Sequence, residues 1–443
     1  MNRIPRLGWV LILLASFAVA SAGSPVTIQI DGNLADGGDC PSVGVWDPTF
    51  SRCLIDSLVL NSGDVFQTID AGLQLNHFEN HGGSLQTDGT VNVDGTFLNE
   101  GMITIDAGTQ FVIWGAIGSL EENHGRIEIN GAFHAFNTFA NAADGVIELS
   151  STGQFGNDVY GGFHNFGTIL NAGSWTNVYD MINEVSGRFV IQGSAGLWND
   201  AQSTLINHGR LDHIGTGWIG GVAWTFDNRG VFNNHGALGT CDSDTQLPMF
   251  NSGTVNNFND IAICSAWNNS GVINNAGMIR DSTSIPGGNI VNGGSLYNCG
   301  SVTAPLTGNP LIIADDTDTD GYCDPRDCAP ADASAWATTD GARDLRLEPD
   351  AVLAGVTNLQ WAAPMFPGSS GLVYDLLSSA GATDFDLSAT CIESDDGADL
   401  SASDSIALPT GEIRYYLVRA QNVCGDSLGA RSDGTPRIGI GCD

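Results

Sequence analysis

Residues 316 to 328 read Asp316-Thr-Asp318-Thr-Asp320-Gly321-Tyr322-Cys323-Asp324-Pro-Arg-Asp327-Cys328. With Asp316 as position 1, carboxylates fall at positions 1, 3, 5, 9 and 12, and Gly321 at position 6. A hard divalent cation takes six to eight oxygens, and a glycine at the sixth position permits the bend that lets alternate side chains converge. The spacing predicts a calcium site built from Asp316, Asp318, Asp320, the carbonyl of Tyr322, Asp324 and Asp327. Without an ion, five carboxylates in twelve residues repel one another. The bland alternative is a solvated acidic linker. Position 12 is aspartate, not glutamate, and no helical pattern flanks the loop, so a stiff junction is expected and a helix-loop-helix sensor is not.

The elements that hold this loop follow from the rest of the chain. Residues 1–22 carry Arg3 and Arg6, then an apolar run from Trp9 to Ala20, then Ala20-Ser21-Ala22. That pattern predicts a cleaved export signal, since the run is too short to span a bilayer. No later stretch is apolar enough to cross a membrane, so a secreted or cell-surface protein is expected. In that compartment ten cysteines, an even number, read as disulfides before they read as metal ligands or nucleophiles. Cys40 with Cys53, Cys241 with Cys264, and Cys323 with Cys328 are near neighbours in sequence and are paired on that ground. The pairing among Cys299, Cys391, Cys424 and Cys442 stays open.

Composition narrows the partners. The 443 residues hold 15 basic side chains, all arginine, against 50 acidic ones, a net charge of −35. A chain this acidic lacks the basic face that nucleic acid requires. Its 58 glycines point to many short strands joined by tight turns.

An internal repeat, apolar-x-Asn-x-Gly-x-apolar, orders those strands. Its asparagines are Asn80, Asn99, Asn123, Asn141, Asn165, Asn183, Asn207, Asn228, Asn251, Asn269 and Asn292, spaced about 21 residues apart on average. Strand-like alternation at this period suits one coil of a parallel β-helix. Two residues before each asparagine stands a large apolar side chain, from Phe78 to Ile290, with Glu121 the one exception. Identical positions stack at about 4.8 Å, so this column is expected inside the solenoid. Asn tolerates left-handed backbone and Gly takes positive φ freely, which predicts a sharp corner at each Asn-x-Gly. Stacked asparagines could also bond one another along the axis.

This tract resembles the right-handed parallel β-helices of secreted bacterial proteins and adhesins. The acidic segment resembles the disulfide-closed calcium repeats of thrombospondin type 3. Beyond residue 344, Leu359-Gln360-Trp361, Val373 to Leu377 and Ile413 to Ala420 read as strands of a sandwich that resembles fibronectin type III. The expected order is a signal at 1–22, a disulfide-closed cap at 23–56, an all-β parallel β-helix at 57–310, a calcium-binding linker at 311–343 and a β-sandwich at 344–443.

Two functional readings follow. The preferred one is a secreted, non-enzymatic scaffold of adhesion type, whose partners are extracellular polysaccharide or envelope proteins. The alternative is a carbohydrate-active β-helix, a lyase or hydrolase. A lyase wants a basic side chain as general base, and only Arg126, Arg188, Arg210, Arg229 and Arg280 lie along the coils. Hydrolysis needs two carboxylates at a suitable separation, and Asp212, Glu121 and Glu122 are available. His81, His124, His208 and His235 read as corner decoration, and Trp198, Trp218 and Trp224 read as core or as sugar-stacking surface.

Overall fold

The computed structural model describes residues 27–31, 44–47, 49 and 51–442, except 116–119, 159–161, 201–202, 222–223, 240–247, 284–285, 351–352, 354, 365, 384, 395–398, 407–408, 410–411, 430 and 432–434. The expected export signal, and Cys40 and Cys241, lie outside these residues. Among the described residues every regular element is a β-strand, and no helix is long and apolar enough to cross a membrane.

Alternation of apolar and polar residues gives each coil three short strands separated by corners. In one coil these are Arg126–Ile129, Ala132–Ala135 and Thr138–Asn141. Each pairs in parallel with its equivalent one coil on, placing Ile127 opposite Ile147, Phe133 opposite Phe155 and Phe139 opposite Phe163. The result is a three-faced parallel solenoid of about eleven turns. The first face runs from Thr27–Asp31 to Ile312–Ile313. At the N-terminal end the second and third faces merge into long strands, Arg52–Asn61, Gly72–His81 and Val91–Asn99. There Val45–Asp47 folds back antiparallel on Arg52–Asn61, a hairpin at the open end of the stack.

Inward positions form continuous columns. The residues preceding the repeat asparagines, Phe78 through Ile290, are almost wholly buried. Glu121, the exception, is buried as well and accepts a hydrogen bond from the Phe97 amide. On the second face Phe111, Phe133, Phe155 and Trp175 stack in sequence, with ring centroids 5.6, 5.1 and 3.8 Å apart. Each such side chain contributes roughly 1.5–3 kcal/mol through burial.

The eleven repeat asparagines stand in register down one edge, also facing inward. Each side-chain amide donates to the carbonyl oxygen of the next, at 2.7–2.9 Å, from Asn80 through to Asn292. The stacking expected from sequence is therefore present, but the reason for the glycines differs. Among the corner glycines of this edge only Gly82 has positive φ, and no repeat asparagine does. A Cβ at Gly125 would instead sit 2.0 Å from the Gly101 carbonyl oxygen, and one at Gly230 2.0 Å from that of Gly209. Glycine is required because successive corners touch, not because the backbone is left-handed.

The C-terminal residues form two antiparallel sheets. Arg343–Pro349, Thr357–Ala362 and Ser401–Asp404 make one; Thr390–Glu393, Val373–Ser379, Tyr415–Asn422 and Gly425–Ser427 make the other. Leu359, Trp361, Tyr374, Leu376 and Val418 fill the space between them, and the molecule is an all-β solenoid followed by a β-sandwich.

Candidate metal centre and the junction around it

The acidic loop joins the two bodies covalently, and here the cysteine pairing departs from expectation. Cys323 bonds to Cys299 at the end of the solenoid, and Cys328 bonds to Cys424 in the sandwich, so Cys323 and Cys328 are not partners. Proximity in sequence favours a small closed ring, but here each thiol faces a different body, with Cα–Cα distances of 5.6 Å in both bonds. Cys391 pairs with Cys442 and ties down the C-terminal end. Cys53 and Cys264 are also disulfide-bonded.

Within the loop, short side chains cap the backbone and thereby orient themselves. Asp316 Oδ2 accepts from the Gly321 amide at 3.1 Å, Asp318 Oδ1 from Asp320 at 3.3 Å, and Asp320 Oδ1 from Tyr322 at 2.7 Å. Asp327 Oδ1 accepts from the Ala329 amide at 2.8 Å. Gly321 sits at φ +93°, the left-handed bend that the sixth position of the loop calls for. Each of these four carboxylates thus spends one oxygen on the backbone. The other oxygens, Asp316 Oδ1, Asp318 Oδ2, Asp320 Oδ2 and Asp327 Oδ2, are buried and have no hydrogen-bond partner. Ligand oxygens of Asp316, Asp318 and Asp320 lie within 4.8 Å of one another.

Asp324 stands apart from this group. Its oxygens take the Thr317 amide at 2.8 Å and the Thr317 hydroxyl at 2.7 Å, and these bonds hold its carboxyl below the usual pKa range. Tyr322 contributes its backbone amide to Asp320, while its ring packs on Phe258 with centroids 4.8 Å apart. Loss of water pushes Asp320 up to about 6, assisted by the charges of Asp327, Asp318 and Asp316. Desolvation also raises Asp327.

Beside the loop the solenoid supplies an ion-pair network that sequence reading did not single out. Arg188 and Arg210, from adjacent coils of the first face, both reach Asp212 and both reach Asp340, which lies just before the sandwich, at 2.8–3.1 Å. Burial opposes the charge on Asp212, but Arg210 and Arg188 outweigh it and hold the carboxyl below its ordinary value. Arg210 also lies over the Phe366 ring, 4.3 Å from its centroid. The only cue in the sequence was two arginines one coil apart, at 188 and 210.

The other candidates fall elsewhere. Glu121 is inside the solenoid and Asp212 is in the network, so neither forms an exposed carboxylate pair. His81 bridges Glu79 and Glu100, which raise its pKa, and His124 bridges Glu122 and Asp144. His235 belongs to a different corner, where it stacks on Phe258 with centroids 4.2 Å apart. Trp224 is buried, whereas Trp198 and Trp218 form a tilted pair on the outside of the second face. No known family model matches the chain, and no curated protein matches it in sequence.

Proposed function

We propose that the chain is a secreted, non-enzymatic scaffold: a stiff rod whose acidic loop takes Ca²⁺ and fastens the C-terminal sandwich to it. The observation that carries this reading is the set of four buried carboxylate oxygens with nothing to answer them. Buried charge without a partner is costly, and Asp316, Asp318 and Asp320, whose ligand oxygens lie within 4.8 Å of one another, form a donor set suited to a hard cation, to which Asp327 adds a further unanswered oxygen. Bound Ca²⁺ supplies the positive charge the loop lacks. The chain's own residues do the rest. Gly321 sets the bend, Thr317 withdraws Asp324 from the cluster, and the two disulfides hold the loop against both bodies. Asp340 adds a second fastening through Arg188 and Arg210.

Disulfides throughout the chain support an exported protein, and the two antiparallel sheets support the resemblance to fibronectin type III. Polysaccharide or envelope proteins are the partners proposed for the rod's surface. Of the carboxylates considered for hydrolysis, Glu121 is buried and Asp212 is paired with two arginines, which supports a scaffold over an enzyme. Incubating the purified chain with a panel of polysaccharides, and measuring both released product and retention, tests this. Retention without product is expected; sustained turnover would overturn the non-enzymatic reading.

A further inference from the structure

A cleft of about 580 Å³ opens between the first face of the solenoid, the acidic loop and the segment leading into the sandwich. Its volume is in the range of sites for small organic ligands. One wall is aromatic and belongs to the rod and loop. His235 lies flat on Phe258, interplanar angle 10°, and Phe258 meets Tyr322 at 52°. Trp336 and Phe366 supply a second wall. Asp316 and Asp320 of the acidic loop also line the cleft.

The cleft is preformed, because its walls are tied together. The Cys299–Cys323 and Cys328–Cys424 bonds fix the loop, and Asp340 is held by two arginines of the rod. Asn422 donates to the carbonyls of Ala337 and Pro367, at 2.9 and 3.0 Å, which anchors the second wall to the sandwich. Gly321 packs against Phe258, where an added Cβ would meet the ring at 3.4 Å.

The chemistry of the lining selects the charge of the occupant. Aromatic faces attract cations through the ring quadrupole, and one such contact already exists where Arg210 covers Phe366. Four carboxylates of the loop against one divalent ion leave excess negative charge beside the cleft. Arg210, which covers Phe366, shares Asp212 and Asp340 with Arg188, so two arginines there meet two carboxylates. Desolvation against its neighbours keeps the pKa of His235 below the ordinary value, so this ring adds no opposing charge near neutral pH. A net charge of −35 draws cations toward the whole surface.

We propose that this cleft binds a small quaternary-ammonium cation, its methyl groups against Trp336, Phe366 and His235 and its charge facing Asp316 and Asp320. The aromatic walls are present with or without Ca²⁺ on the acidic loop, and one divalent ion there would lower the negative charge beside them without cancelling it.

Calorimetric titration of the full, calcium-saturated chain with choline, and separately with its uncharged carbon isostere 3,3-dimethylbutan-1-ol, tests the proposal. Choline is expected to bind saturably with one equivalent and the isostere at least about tenfold more weakly, the size of a desolvated cation–π contribution. Trp336→Ala should weaken choline by a similar factor at an unchanged thermal midpoint. The comparison of the two ligands on the unaltered chain keeps the test valid if that variant fails to fold. Equal binding of both ligands would overturn the proposal, as would saturable binding of a neutral disaccharide with no binding of choline.

Discussion

Two rows of polar side chains run through this molecule, and they solve the same problem differently. The asparagines from Asn80 to Asn292 pack their amides in a dry interior, and every interval between them carries a hydrogen bond. An amide is donor and acceptor at once, so a stacked row satisfies itself except at its ends. The unmatched acceptor is indeed at the first member, Asn80 Oδ1, while the last, Asn292, donates to the Asn309 carbonyl at 3.1 Å. The aspartates of the loop are acceptors only when ionised. Their row closes with four buried oxygens still unmatched. A polar row built of amides is finished when the chain folds; one built of carboxylates is left with acceptors over.

That contrast can be sharpened by substitution. The largest effect belongs to the apolar columns that enclose the asparagine row. Phe155→Ala, in a stack between Phe133 and Trp175, should lose about 3–5 kcal/mol, measured by denaturant unfolding, with calcium present or absent. Asn141→Ala removes an acceptor from Asn123 and a donor from Asn165. A loss of about 1–3 kcal/mol is expected, again independent of calcium. If chelator changed the size of either loss, the solenoid and the loop would not be energetically separate.

Asp320→Asn should behave in the opposite sense. It removes like-charge repulsion and a desolvated carboxylate, so the metal-free chain should be as stable as the parent or more so at pH 7. The same change should weaken calcium binding and shrink the thermal shift that calcium produces. A variant destabilised equally in chelator and in calcium would place Asp320 with the asparagines, as a structural residue only.

The smallest effect is in pH. Asp320 has its folded pKa raised to about 6 from 3.8, so in the metal-free chain its contribution is fully present below pH 3.8 and is lost as pH rises through 6. His213, buried beneath Asn234, has its pKa lowered to about 4 from 6.5, chiefly by desolvation. Its contribution runs the other way, present above pH 6.5 and lost as pH falls through 4. The windows overlap, so the parent chain alone separates nothing. Subtracting the Asp320→Asn profile from the parent profile isolates the carboxyl, and the difference should favour the parent more at pH 4 than at pH 7.

How much of this was legible in the sequence depended on whether the signal was periodic. The asparagine row and the column from Phe78 to Ile290 repeat once per coil, and period alone placed them correctly, including the stacking. A second asparagine row was missed. Asn234, Asn257, Asn275 and Asn298 form their own chain of hydrogen bonds at the end of the first face. Three of them carry the same Asn-x-Gly signature, at 234, 275 and 298, but one-third of a coil out of phase, and a reading that aligned one residue per coil passed over them. The corner glycines were found for the wrong reason, since coil-to-coil contact is a property of the stack and leaves no local mark. The convergence of Asp316, Asp318 and Asp320 was legible in their spacing, whereas the bonds of Asp324 to Thr317 depend on the backbone path. Least legible were the contacts between Arg188, Arg210 and Asp340 and the pairing of Cys323 with Cys299. These join segments whose proximity is decided only when the linker folds back along the rod.

Titration of the chelated, purified chain with Ca²⁺, followed by calorimetry and by thermal midpoint together, bears most directly on the role of the four aspartates. One equivalent should bind, the midpoint should rise, and Asp318→Asn with Asp327→Asn should abolish both effects while leaving the chain folded. A flat titration with an unmoved midpoint would mean that those buried oxygens are answered by water or protons, and the loop would then be an acidic tether and no more.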